Sequence, residues 1–270
     1  MHIYLAVRRP GEPIAVLKKI ATLLWSIHIR AAFRAYNEAM NKTIEEMNNA
    51  VEGAVNRTVE RVTRLYSRHE RAADATVHVL GVVFAINASL WLLWHVTGLS
   101  VLVSVSVYCL GLLAMTGFSA AYNLMPSYRP SKKILRRLDH AAIFIMIAAT
   151  YTPLAVNRLG GASGDIILAI IWLAATFGVV MKVLFPRRFE IASIVLYLLM
   201  GWLVVTVIKP LAASLAAADF WLLMAGGLVY SAGVFFYVFE RIPYHRAIWH
   251  AFVLAAAALQ FSSIWGEFAR

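Results

Sequence analysis

Charged residues and cysteines are scarce in this chain of 270 residues. Only 14% of the residues are charged and 61% are hydrophobic, whereas soluble domains carry about 25% charged residues. The single cysteine, Cys109, lies inside an apolar run, which excludes an intrachain disulfide and a metal cluster built on cysteines. A soluble domain could not bury this much apolar surface, so the sequence predicts an integral membrane protein.

Acidic residues are also few, with 14 Asp and Glu against 25 Lys and Arg. A basic excess can indicate a nucleic-acid partner, but the chain lacks a basic module with groove-reading motifs, and we expect no nucleic acid. In an apolar chain, such an excess is typical of basic residues gathered in the loops on one face of the membrane.

Seven apolar runs follow the first 75 residues, each about as long as the twenty residues that cross some 30 Å of hydrocarbon. The predicted spans are 76–97, 100–124, 140–157, 164–184, 190–208, 218–239 and 246–266. The stretch 209–219 is too short, and too interrupted by Lys209 and Pro210, to span. The predicted fold is all-α, a polytopic seven-transmembrane-helix bundle over residues 76–270 behind an N-terminal cytoplasmic helical extension over residues 1–75.

Basic residues concentrate in alternate connections of this bundle. Ten lie around the connections after spans two, four and six: Arg129, Lys132, Lys133, Arg136, Arg137, Lys182, Arg187, Arg188, Arg241 and Arg246. The opposite loops and the tail hold Arg158, Lys209 and Arg270. Because cytoplasmic loops carry the excess of Lys and Arg, we predict a cytoplasmic N-terminus and a C-terminus on the opposite side of the cell (inner) membrane.

The extension holds 12 Lys and Arg and 8 Asp and Glu, and it is expected to form two helical segments. Segment 14–36 has an apolar face flanked by basic residues, which suits contact with an anionic inner leaflet. Packing against the protein's own cytoplasmic face is the alternative. Segment 43–72 has the pattern of a solvated amphipathic helix that pairs with a copy of itself, which makes a homo-oligomer an expectation.

Polar residues within spans are costly, about 2.5–3.5 kcal/mol for a charged one at the centre, and so indicate function. Ser119 and Asn123 fall at the end of span two, Asp139 at the start of span three, and Arg246 with His250 at the start of span seven. Residues four apart share a helix face. The topology therefore predicts one polar cluster near the cytoplasmic face.

Three stretches resemble the haemolysin III proteins and the progestin and adipoQ receptors: SAAYN at 119–123, LDHAAIFIMIAATYTPL at 138–154 and HRAIWHAFVLAAAALQF at 245–261. Upstream, ERAADATVHVLG resembles the family's Glu-x-x-x-Asn-x-x-x-His-x-x-Gly entry to span one, through Glu70, Asp74, His78 and Gly81. The resemblance covers about residues 70–265. It implies seven spans and an intramembrane zinc site with histidines on spans two and seven, and it adds His78 to the polar cluster.

The chain departs from this family at the zinc ligands. Asn123 and Arg246 occupy two of the three histidine positions, and only His250 remains. An amide oxygen is a poor zinc ligand and a guanidinium is none, so the sequence disfavours zinc as a cofactor. We expect an Arg246–Asp139 ion pair in place of the metal; the alternative is that Arg246 snorkels to the headgroups.

The resemblance implies two functions. A non-metal or weakly metal-binding relative that acts in lipid sensing or membrane homeostasis, with membrane lipids as partners, is the one that the ligand losses favour. The other is a zinc-dependent intramembrane lipid amidase or hydrolase with Ser119, Asp139 and His250 as candidate catalytic residues. A small-solute or ion transporter is the alternative from another class. Whether the protein is an enzyme stays open.

Overall fold

The computed structural model describes residues 12–64, 68–126, 128–186 and 188–269, and it divides the chain into two compact units, Met1–Leu65 and Tyr66–Arg270. In the first unit, a single helix, α1, runs from Glu12 to Arg64. The prediction of two separate segments is therefore wrong: no glycine or proline lies between residues 36 and 43 to interrupt the helix. The last residues of segment 43–72 belong to the next helix instead.

The second unit contains, among the described residues, seven helices long and apolar enough to cross a membrane. They are α2 (Arg68–His95), α3 (Leu99–Leu124), α4 (Lys132–Leu154) with a π-helical turn (Ala155–Leu159), α5 (Gly161–Leu184), α6 (Glu190–Trp202) with a 3₁₀ turn (Leu203–Val207) and α7 (Ile208–Ser214), α8 (Ala217–Val238), and α9 (His245–Phe268). The all-α, seven-span prediction is confirmed.

Three boundaries differ from the predicted ones by six residues or more. The first span begins at Arg68 and the third at Lys132, each eight residues before the predicted start. The fifth span continues through Lys209 and Pro210 to Ser214, where the sequence had suggested an interruption. Pro210 lies in the first turn of α7, where a missing N–H donor costs little, so proline does not end this span.

Glycine and proline set the turns at the end of the bundle opposite the basic loops. Gly98 precedes α3 with φ 86°, Gly160 precedes α5 with φ 58°, and Gly161 begins α5 with φ 52°. Glycine adopts this left-handed region without a steric penalty. Pro153 lies inside α4, one residue before its end, and the π-helical turn begins at Ala155. Proline cannot donate a backbone hydrogen bond, which is consistent with the departure from regular α-helix here.

The exterior of the bundle is apolar. Large hydrophobic side chains on different spans are more than half exposed, including Leu90, Leu110, Leu173, Leu199 and Trp221. Such a surface requires hydrocarbon around it. The protein is therefore an integral membrane protein, and fully buried side chains such as Tyr108 and Phe144 form the interior between its helices.

We call the end of the bundle that carries the connections 125–131, 185–189 and 239–244 the basic end. Here Glu190, at the start of α6, forms ion pairs with Arg136 of α4 at 2.9 Å and Lys182 of α5 at 2.8 Å. At the far end, Glu267 of α9 pairs with Arg158 at 2.8 Å and accepts a hydrogen bond from the backbone N–H of Ala216 at 2.7 Å. Carboxylates thus join three helical elements at each end.

Candidate functional site

Six predicted polar residues from four helices line one cavity of about 770 Å³ inside the bundle. They are His78 on α2, Ser119 and Asn123 on α3, Asp139 on α4, and Arg246 and His250 on α9. Since α3 ends at the basic end and α2, α4 and α9 begin there, these side chains lie toward that end of the cavity. The topology brings together residues that are up to 172 positions apart in the chain (His78 to His250).

On α3 and α4, short-range contacts organise the polar end. The side-chain amide of Asn123 donates to the backbone oxygen of Ser119 at 3.0 Å and lies 3.4 Å from its Oγ. Asp139 interacts with Ser119, and its Oδ2 lies 3.8 Å from Nδ1 of His140. A serine hydroxyl and a carboxylate therefore face the cavity side by side, a pair that can both donate to and accept from a polar ligand.

The first and last spans meet in a second group of side chains. Asp74 and His78 are one turn apart on α2 and are only 5% and 6% exposed. Oδ1 of Asp74 lies 2.6 Å from Nδ1 of His250 on α9 and 3.6 Å from Nε2 of His78. The two imidazole rings are 4.2 Å apart between centroids. We call Asp74, His78 and His250 the Asp–His cluster.

Sequence reasoning missed the role of Asp74 in this group. It placed the residue in the motif that opens span one, but did not count it among the polar cluster. The available signal was its spacing of four from His78, which places a carboxylate and an imidazole on one helix face. What the sequence could not give is that α2 and α9 are neighbours.

Glu70, the first residue of the same motif, joins the same two helices. Its Oε1 accepts a hydrogen bond at 3.0 Å from the backbone N–H of Tyr244. Tyr244 immediately precedes α9 and has φ 60°, a left-handed conformation uncommon for a residue other than glycine. The bond satisfies a backbone donor at this strained turn and fixes where α9 begins.

A zinc ion at the three family positions does not fit these residues. Asn123 directs its amide group to Ser119, Arg246 is a cation, and only His250 offers an imidazole there. A catalytic zinc takes three protein ligands. The predicted Arg246–Asp139 ion pair stays a prediction: Asp139 interacts with Ser119, His140, His250 and Arg136.

The rest of the cavity is apolar. Its walls include Met115 of α3, Ile147 and Leu154 of α4, Leu223 of α8 and Leu254 of α9. Four tyrosines on three of the helices also line the cavity: Tyr151, Tyr197, Tyr230 and Tyr237. The cavity is therefore amphipathic, with acidic, basic and imidazole groups toward the basic end and hydrocarbon beyond them.

Residues 66–261 match the family described as haemolysin-III related. The chain belongs to this family. A hemolysin-3 homolog of Bacillus subtilis is 38% identical over 200 residues, which cover 73% of this chain and 93% of that protein. Hemolysin-3 of Bacillus cereus is 38% identical over 207 residues, covering 75% of this chain and 94% of the relative. The predicted haemolysin III resemblance is thus confirmed.

A human protein is also similar to this chain. The monocyte to macrophage differentiation factor of Homo sapiens is 29% identical over 205 residues, covering 73% of this chain and 84% of that protein. The family match covers residues 66–261, so it lies within the second compact unit and leaves α1 outside. The six polar residues that line the cavity, and Asp74, all lie within the matched region.

Proposed function

We propose that this haemolysin III family protein binds a membrane lipid in the bundle cavity and acts in lipid sensing or membrane homeostasis. The observation that carries the proposal is the amphipathic lining of a cavity of about 770 Å³. Binding pockets for small molecules span roughly 300–1,000 Å³ and combine apolar walls with a few convergent polar groups. An acyl chain would lie along Met115, Ile147 and Leu223, which are apolar.

The polar end supplies partners for the linkage or headgroup of such a lipid. Ser119 can donate a hydrogen bond to a carbonyl oxygen, and Asp139 can accept one from an amide or a hydroxyl. Arg136 and Arg246 also line the cavity, so an anionic group would find positive charge there. A lipid with a carbonyl linkage and a small polar head suits this arrangement best.

The orientation belongs to the same proposal. The basic end would face the cytoplasm, because cytoplasmic loops of membrane proteins are enriched in Lys and Arg. The lipid's polar group would then lie near the inner leaflet of the cell membrane. On α1, Ile29, Phe33 and Tyr36 are exposed beside Arg30 and Arg34, a combination that supports contact of residues 14–36 with anionic lipid. Pairing of α1 with a second copy stays a prediction.

A metal-dependent lipid hydrolase is the second candidate, favoured by the convergence of Ser119, Asp139 and His250 on one cavity. The losses at Asn123 and Arg246 count against the family's zinc at its usual positions. The transporter alternative stays a prediction that no particular observation favours.

Lipid that co-purifies with the protein tests the proposal. The full chain is extracted in mild detergent, and the bound lipid is quantified per chain by mass spectrometry. Replacing Ile147 with tryptophan fills part of the cavity, so the bound lipid should fall several-fold. The matched control is Ile170→Trp, because Ile170 is 46% exposed on α5 and does not line the cavity.

The two variants give opposite expectations. Ile170→Trp should retain the lipid of the parent protein, since its larger side chain projects outside the cavity. Equal lipid content in the parent, Ile147→Trp and Ile170→Trp would contradict binding in the cavity. Asp139→Asn should lower the amount of bound lipid while leaving the acyl-chain composition unchanged, because it alters only the polar end.

A further inference from the structure

The geometry points to a divalent-metal site built from Asp74, His78 and His250, at a place different from the zinc positions that the family resemblance implies. One possible ligand atom from each side chain lies within 4.8 Å of the others. Two ligands come from the first span and one from the last. This inference goes beyond lipid binding and does not depend on it.

A buried ring nitrogen of His78 that lacks a hydrogen-bond partner supports the site. Nε2 of His78 is buried and has no hydrogen-bond partner among the described residues, although the residue is only 6% exposed. A buried polar atom without a partner destabilises the folded protein, and a metal ion would give this nitrogen one. This nitrogen lies 3.6 Å from Oδ1 of Asp74, which is beyond a hydrogen bond and suited to two ligands of one ion.

Distances within the Asp–His cluster agree with tetrahedral coordination. Ligand atoms at roughly 2.0–2.1 Å from a zinc ion lie about 3.3 Å from one another. The two measured separations, 2.6 Å from His250 to Asp74 and 3.6 Å from His78 to Asp74, lie on either side of that value. The ligand atoms of His78 and His250 also lie within 4.8 Å of each other, so all three side chains can approach one ion.

The donor set selects the kind of ion. Two imidazoles and one carboxylate are ligands that zinc and neighbouring first-row divalent metals accept, whereas calcium and magnesium prefer oxygen alone. His78 and His250 line the cavity, whereas Asp74 does not. An ion held by them would be accessible to a ligand in the cavity that Ser119 and Asp139 also line.

This chain also has a better metal ligand than the family motif at one position of the proposed site. The span-one motif that the chain resembles has asparagine at the position of Asp74. This chain has therefore gained a carboxylate four residues before His78 and has asparagine and arginine at two histidine positions. Asp74, His78 and His250 are thus three side chains that can ligate a metal, two of them on α2 and one on α9.

Metal content of the full-length protein in detergent tests the inference. The protein is stripped with a chelator, exposed to zinc, desalted and measured by elemental analysis, and cobalt(II) absorption reports coordination. We expect about one zinc per chain. Asp74→Asn and His78→Ala should each weaken binding at least tenfold, because each removes one of three ligands. His95→Ala, on the same helix α2 but at its far end and exposed, is the matched control and should bind as the parent does.

Two results would overturn the site. One is a parent protein that holds no more zinc than Asp74→Asn. The other is zinc that survives Asp74→Asn but is lost in Asn123→Ala, which would assign the ion to the family positions. Zinc-dependent stabilisation gives a second readout that needs no variant: zinc should raise the thermal midpoint of the parent, and its failure to do so would equally count against the site. Asp74→Asn restores the family residue and should therefore fold.

Discussion

Nδ1 of His250 lies 2.6 Å from Oδ1 of Asp74, although 176 residues separate them in the chain. This contact joins the seventh span to the first. Glu70 and Tyr244 join the same two helices nearer the basic end. The polar end of the cavity is therefore held by contacts between α2 and α9, with Ser119 and Asp139 contributed by the helices between them in sequence.

Helices α3 and α4 approach closely at Gly111. A Cβ added there would lie 2.6 Å from Cβ of Ala149. We expect Gly111→Ala to destabilise the bundle by about 1–3 kcal/mol, because the two helices must separate to accept the methyl group. Thermal unfolding in detergent measures the effect.

The matched control for that variant is Gly117→Ala, six residues further along α3, where an added Cβ meets nothing within 4 Å. There alanine should be neutral or stabilise by up to about 1 kcal/mol, through its higher helix propensity. Similar midpoints for the two variants would show that close packing at Gly111 does not limit stability.

The hydroxyl of Tyr151 holds the break between α6 and α7. It lies 2.9 Å from the backbone oxygen of Met200 and 3.0 Å from that of Gly201, and it accepts from the N–H of Val204 at 2.8 Å. Tyr151→Phe should cost about 1–3 kcal/mol, because these backbone groups lose a partner inside the bundle. The thermal midpoint should fall in Tyr151→Phe and stay unchanged in Tyr128→Phe, whose ring is 78% exposed.

The ion pair between Arg158 and Glu267 stabilises the far end. The Glu267 side chain is only 6% exposed, so Arg158→Ala leaves a nearly buried carboxylate without its cation. Removing one partner of a buried pair costs about 3–5 kcal/mol, and we expect the lower limit because a third of the Arg158 side chain is exposed. Arg129→Ala, an exposed arginine in the connection before α4, is the comparison. If both variants unfold at the same midpoint, the pair contributes nothing.

Hydropathy alone predicted the seven spans, because runs of about twenty apolar residues are rare outside membrane-spanning helices. Hydropathy did not predict correctly where all of these spans begin and end. Residues Arg68 to Asp74 are too polar to be recognised as part of a span, yet they continue α2 toward the basic end. Pro210 was interpreted as a break, whereas its place in a first helical turn removes the penalty.

The candidate site was accessible to sequence reasoning only in part. Ser119, Asn123, Asp139, Arg246 and His250 could be placed near one depth from topology, and they do line one cavity. The Asp–His cluster could not be derived in that way, because depth does not tell which helices touch. Only the packing of α2 beside α9 shows that Asp74 is within reach of His250.

The junction of the first and last spans has a consequence for biosynthesis. At about 5–20 residues per second, the 176 residues between Asp74 and His250 take roughly 10–35 s to synthesise. Throughout that interval the Asp74 carboxylate lacks the His250 imidazole that lies 2.6 Å from it in the folded protein. A chain truncated before α9 would never form this contact. Synthesis of α9, rather than insertion of any earlier span, is therefore the step that joins the first and last spans through their polar side chains.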